Sequence, residues 1–159
     1  MPPSETSETS ETSETSETSE TAALSPAVLL AAMPFAAQLG IELHEAAPDR
    51  AVGSLAWSPE VCTAGGVIHG GALMALADSV GAVCAYLNLP QGAGTSTVES
   101  KTNFLRGVAS GRVHATARPL HVGGTLIVVQ TDLRDDKDRL VGQTTQTQIV
   151  LAAKGGATS

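Results

Sequence analysis

Polar and apolar positions recur with two different periods along this chain, and the switches between them outline its elements. Ser25-Pro26 reads as a helix start, because proline at the first helical position gives up an N–H that would be unpaired anyway. The Ala-Val-Leu-Leu-Ala-Ala-Met run behind it predicts a short helix that stops near Pro34. Residues 41–46 and 52–57 read as strands, parted by a Pro48-Asp49 turn signal, and residues 58–68 form a loop of small residues. From residue 70 to residue 87 the spacing becomes three and four. On a wheel with steps of about 100°, Leu73, Leu76, Val80, Val83 and Leu87 share one face, and Gly71, Ala75, Asp78, Ala82 and Ala85 share the opposite one. A helix apolar on both faces predicts burial on both sides, the bulky face against a sheet and the small face against a second backbone.

Beyond Pro90-Gln91-Gly92 the period falls to two. Residues 97–105, 112–118, 125–133 and 140–151 are the expected strands, with Val113, Ala115 and Ala117 alternating against Arg112, His114, Thr116 and Arg118. Gly123-Gly124 and the run Asp135-Asp136-Lys137-Asp138 mark turns. The order is short helix, two strands, long helix, four strands. It predicts an α+β domain in which a curved antiparallel sheet wraps around one long central helix.

Composition changes this picture mainly at the N-terminus. From Ser4 to Thr21 the tripeptide Ser-Glu-Thr runs six times without an apolar residue to bury. Such a run cannot offset the entropy of ordering its backbone, and it lacks the apolar core of a signal peptide. Residues 1–22 are therefore expected to be a disordered acidic tail, residues 23–152 the folded domain and residues 153–159 a flexible C-terminus. The chain carries 16 acidic and 9 basic residues, and six of the acids are the tail glutamates. The domain is then nearly neutral, with no basic face or base-stacking platform for nucleic acid. The apolar stretch at 70–87 holds Asp78 near its middle, which costs about 2.5–3.5 kcal/mol in a membrane, so no membrane partner is expected. Cys62 and Cys84 are the two cysteines. The second sits inside the helical run, which agrees with a reducing, cytoplasmic setting.

The segment Gly65-Gly-Val-Ile-His-Gly-Gly-Ala-Leu-Met-Ala-Leu-Ala-Asp78, in this order of elements, resembles the hotdog thioesterases. The likeness is to the phenylacetate-pathway and Arthrobacter-type 4-hydroxybenzoyl-CoA branches. Lys101-Thr-Asn-Phe-Leu-Arg106 and Val122-Gly-Gly-Thr125 also resemble family segments. The resemblance implies hydrolysis of an acyl-CoA thioester, with coenzyme A as part of the substrate and no cofactor besides. It implies a homodimer, or a dimer of dimers, with active sites shared between chains. The family's catalytic acid falls at Asp78, as nucleophile on the thioester carbonyl or as general base for water. The family's carbonyl-polarising backbone N–H falls at Gly70, where a helix N-terminus stabilises developing negative charge.

Spacing supports the shared site independently. Gly70 and Asp78 are eight residues apart, about 12 Å along a helix. Attack needs the reacting atoms within about 3–3.5 Å. Two helices packed antiparallel through their small faces would bring Gly70 of one chain near Asp78 of the other. His69 precedes the helix and reads as a loop-positioning hydrogen-bonder more readily than as a base. His44, His114 and His121 do not form metal-ligand spacings with either cysteine, so no metal is expected.

Two positions depart from the family. Six residues before the His, relatives carry Asn or Gln, whereas here Thr63 stands. Four residues after the acid, the Arthrobacter-type branch has Thr, whereas here Ala82 stands. In the phenylacetate-type branch a hydroxyl on the strand after the helix holds the water, and Thr97 matches it. The expected catalytic set is therefore Asp78, Gly70, Thr63, His69 and Thr97. The substrate-binding set is Gly71, Ala82, Arg106, Gly123, Gly124 and Thr125. Two other readings stay open on this fold: an acyl-CoA-binding protein without hydrolysis, and a hydratase or dehydratase.

Overall fold

The computed structural model describes residues 25–152; the expected acidic tail (residues 1–22) and flexible C-terminus (residues 153–159) lie outside them. Its first element, α1 (Pro26–Ala31), is capped by Ser25, whose hydroxyl accepts from the Val28 N–H at 3.4 Å. Pro34 does not merely stop the chain there. It opens a second short helix, α2 (Pro34–Gln38), which the apolar pattern did not anticipate because one turn is too short to show a period. Strands β1 (Ile41–Ala46) and β2 (Ala51–Ala56) follow as an antiparallel pair.

The long helix α3 (Gly70–Tyr86) is the axis of the molecule. It is followed by β3 (Gly94–Phe104), β4 (Arg112–Val122), β5 (Leu126–Asp135) and β6 (Leu140–Leu151). All six strands form one antiparallel sheet in the order β1-β2-β4-β5-β6-β3, and α3 touches every one of them. Leu73, Leu76, Val80 and Val83 of its bulky face are buried against Leu55, Val113, Ile127, Val129 and Leu133 of the sheet. The alternation read at Val113, Ala115 and Ala117 is the inner face of β4, and all three are fully buried.

The small face behaves differently along its length. Gly71 is exposed, and Ala75, Asp78 and Ala82 are half-buried, whereas Ala85 is fully enclosed by this chain's own core. The β1–β2 turn reaches this end of the helix, where the Pro48 carbonyl accepts from Asn88 Nδ2 at 2.6 Å. The surface that the described residues leave partly open is therefore the N-terminal and middle part, from Gly71 to Ala82. β3 lies along it as an edge strand, paired only with β6.

Candidate active site

The chemistry-bearing residues fall into two clusters on α3. The first surrounds Asp78. Its Oδ1 accepts from Thr97 Oγ1 at 3.4 Å and from Gln146 Nε2 at 3.3 Å. Gln146 Nε2 also reaches the Asp78 carbonyl at 3.5 Å. Behind Thr97, Gln148 Nε2 donates to the Thr97 hydroxyl at 2.8 Å, and Thr95 Oγ1 donates to Gln148 Oε1 at 3.1 Å. Both contacts to Oδ1 are longer than the 2.7–2.9 Å of a strong charge-assisted bond, so they offset the cost of burying the charge only in part. Burial therefore dominates and pushes the Asp78 carboxyl above its ordinary value, with the Thr97 hydroxyl pulling the other way. Asp78 Oδ2 has no hydrogen-bond partner among the described residues.

The second cluster is the start of α3. His69 is its N-cap, and its Nδ1 accepts from the Gly71 N–H at 2.8 Å. The Ala72 and Leu73 N–H groups turn back to the His69 carbonyl at 2.9 and 3.1 Å. The Gly70 N–H donates to no group among the described residues, which leaves it as the unspent donor of this helix end. A side chain at Gly70 would come within 3.1 Å of the Phe104 ring, so glycine keeps that approach open.

The remaining residues are placed apart. Thr63 serves its own loop: its hydroxyl accepts from the Gly65 N–H at 3.3 Å, and its N–H donates to the Val67 carbonyl at 2.8 Å. It makes no hydrogen bond to Asp78 within the chain. Arg106 is exposed beyond β3, beside Val141 at the start of β6. The turn at Gly123, Gly124 and Thr125 lies at the other end of β6, where the Thr125 carbonyl accepts from the Val150 N–H at 2.8 Å. Nine residues of strand, about 30 Å, separate these two points. One chain thus cannot bring Arg106 and that turn to the same small group.

Sequence reading overlooked Gln146, Gln148 and Gly81. Gln146 and Gln148 sit on β6 at the same parity as Thr144, and all three are fully or almost fully buried. Polar residues at alternate positions facing a helix are the signal that was available. The Gln146 Oε1 atom is buried without a partner among the described residues. Gly81 makes room for it, since a Cβ there would stand 2.1 Å from Oε1. A glycine in the middle of a helix, three residues after the acid, was the second signal.

An apolar cavity of about 360 Å³ opens one helical turn past Asp78. It lies between α1 and α3, with Val28, Met33, Ala82, Tyr86 and Thr95 among its walls.

Among the described residues, one long helix enclosed by an antiparallel sheet, with an acid at its middle and an unspent N–H at its start, defines a hotdog protein. Comparison with known proteins agrees. The model of the thioesterase superfamily matches residues 65–142. A Mycobacterium tuberculosis protein provisionally named an esterase is 34% identical over 122 residues, spanning 75% of this chain and 87% of the relative. Its solved structure superposes with a TM-score of 0.74 at 31% identity, covering 77% of this chain and 100% of that one. The 1,4-dihydroxy-2-naphthoyl-CoA hydrolase of Escherichia coli is 35% identical over 86 residues, 54% of this chain and 63% of that protein. The crystal structure of a thioesterase from Haemophilus influenzae gives a TM-score of 0.72 at 29% identity, covering 77% of this chain and 85% of that one. The chain belongs to the thioesterase superfamily, and it is a thioester hydrolase of the hotdog fold.

Proposed function

We propose that the substrate is an acyl-CoA, cleaved to a free acid and coenzyme A by Asp78 acting on a carbonyl polarised by the Gly70 N–H of a second copy of the chain. The observation that carries this reading is the state of Asp78: one oxygen held, the other without a partner, in a half-buried site beside an apolar cavity. Burial makes its carboxylate more basic than one in water, which suits either a nucleophile or a general base. The Escherichia coli relative's name supports a coenzyme A thioester. The cavity past Ala82 supports an apolar acyl group, since no charged side chain among the described residues lines it.

A second copy is needed because Gly70 and Asp78 stand about 12 Å apart along one helix. Three features favour it. The described residues leave the small face of α3 partly open from Gly71 to Ala82; β3 is a long unpaired edge; and Val98 and Phe104 on that strand are 57% and 51% exposed. Edges of this kind are templates for pairing with another chain. The unit of function is then at least a dimer, with a dimer of dimers as the fuller assembly. Its setting on this reading is the reducing cytoplasm: Cys62 and Cys84 are both free, and burial pushes the Cys84 thiol up to about 11, which makes it inert. No helix among the described residues is long and apolar enough to cross a membrane.

The test is release of free thiol from aryl-, short- and medium-chain acyl-CoAs by the wild type, Asp78→Asn and Asp78→Ala. Both variants should lose at least about a hundredfold in kcat. A fully active Asn variant, or a fully active monomer in solution, overturns the reading. Wild type that binds acyl-CoA without releasing thiol would favour a binding protein instead. In single-turnover hydrolysis in ¹⁸O-water, label on Asp78 establishes the nucleophilic route, because water that opens the Asp78–acyl anhydride at the Asp78 carbonyl leaves its oxygen there, whereas general-base attack labels only the released acid.

A further inference from the structure

Gln146 lies past residue 142, where the match to the family model ends, and sits on the last strand with its side chain fully buried. Its Nε2 is 3.3 Å from Asp78 Oδ1, and its Oε1 is buried without a partner against Gly81. A leucine or methionine would fill the same space without an orphaned oxygen, so packing alone does not account for an amide here. Nor does the amide turn around easily, since that would aim Oε1 at the carboxylate. The cluster is also uncharged. β6 carries no titratable residue; Cys84 and Tyr86 are the other titratable groups on α3; and on β3 Glu99 and Lys101 are exposed. Among the described residues no charge contributes to the state of Asp78, whose surroundings act through burial and the Thr97 hydroxyl. A lysine or arginine in place of Gln146 would pin the carboxylate equally well but would strip it of basicity. An amide orients it and, carrying no charge, lowers its basicity far less.

We propose that Gln146 is a positioning residue for the hydrolysis, fixing Asp78 Oδ1 so that Oδ2 is the oxygen presented to substrate or water, with Gly81 retained to admit its amide. This rests on the reading of Asp78 as the catalytic acid. Gln148 completes the arrangement by holding Thr97, the other donor to Oδ1, at 2.8 Å.

The experiment compares wild type, Gln146→Leu, Gln146→Glu and Asp78→Asn, all full length, for kcat, KM, pH profile and thermal unfolding on one acyl-CoA. Gln146→Leu should keep its melting temperature, lose about ten- to a hundredfold in kcat with KM little changed, and move the acid limb of kcat/KM to higher pH. Gln146→Glu keeps the size but replaces the donor with an acceptor, and should move that limb further. An inactive Asp78→Asn beside a Leu variant with wild-type kcat and pH profile overturns this proposal and leaves the function intact. An active Asp78→Asn overturns the function itself. If both Gln146 variants fail to fold, Gln146 serves the fold and the positioning role is refuted.

Discussion

Replacing Gly81 with alanine puts a methyl group 2.1 Å from Gln146 Oε1, 2.7 Å from Cδ and 3.3 Å from Nε2. Ordinary contacts between such atoms lie near 3.5 Å, so the amide must withdraw by more than about 1 Å. The 3.3 Å contact from Nε2 to Asp78 Oδ1 then passes out of hydrogen-bonding range. Crowding a packed core costs about 1–3 kcal/mol, and alanine in a helix interior recovers about 1 kcal/mol over glycine. The net loss is about 0–2 kcal/mol, which at roughly 4 °C per kcal/mol lowers Tm by about 0–8 °C. A hydrogen bond to a charged group contributes about 1.5–3 kcal/mol, equivalent to about ten- to a hundredfold in kcat. Gly81→Ala should therefore damage turnover more than stability. Thermal unfolding and thiol release in one buffer measure both. A variant with wild-type kcat, whatever its Tm, would refute the coupling of Gly81 to Asp78 through the amide.

Other outcomes follow from the same structure. Asp78 has a raised folded-state pKa, so whatever stability its carboxyl contributes is present below the ordinary carboxylate value and lost as pH rises through the folded one. Asp78→Asn should thus be more stable than wild type at pH 7, with the difference closing towards pH 3 in thermal melts. Asp135 has the opposite sign. Its carboxylate accepts from Arg139 Nε at 2.8 Å and from the backbone N–H groups of Lys137 and Arg139 at 3.0 Å, which holds it at about 2. Asp135→Asn should weaken the fold at pH 7 and match wild type near pH 2, as the wild-type contribution disappears between about pH 4 and pH 2. Leu76 is fully buried against the sheet, and Leu76→Ala should cost about 3–5 kcal/mol in chemical denaturation without a change in the pH profile of whatever activity survives.

The elements were legible because each depends on local period. The three-and-four spacing from Leu73 to Val83 dictated the face of α3 that packs on the sheet, and strict alternation at Val113, Ala115 and Ala117 dictated the inner face of β4. Asp78 stood out as one acid on an apolar helix, and Gly70 as a glycine at that helix's start. Both signals need only the residues nearby. What the chain order left undecided is which strands become neighbours. The final strand pairs with β3, the first strand after the helix, and this long-range pairing carries Gln146 and Gln148 to the middle of α3, 68 residues from Asp78 in the case of Gln146. The same pairing lays Thr97 beside Asp78 and sends Arg106 and Gly124 to opposite ends of the sheet. Periodicity marks which face of a strand is buried, but not what it is buried against. Sequence alone therefore located the acid and, by resemblance, Thr97, and only the folded sheet brought Gln146 to the same carboxylate.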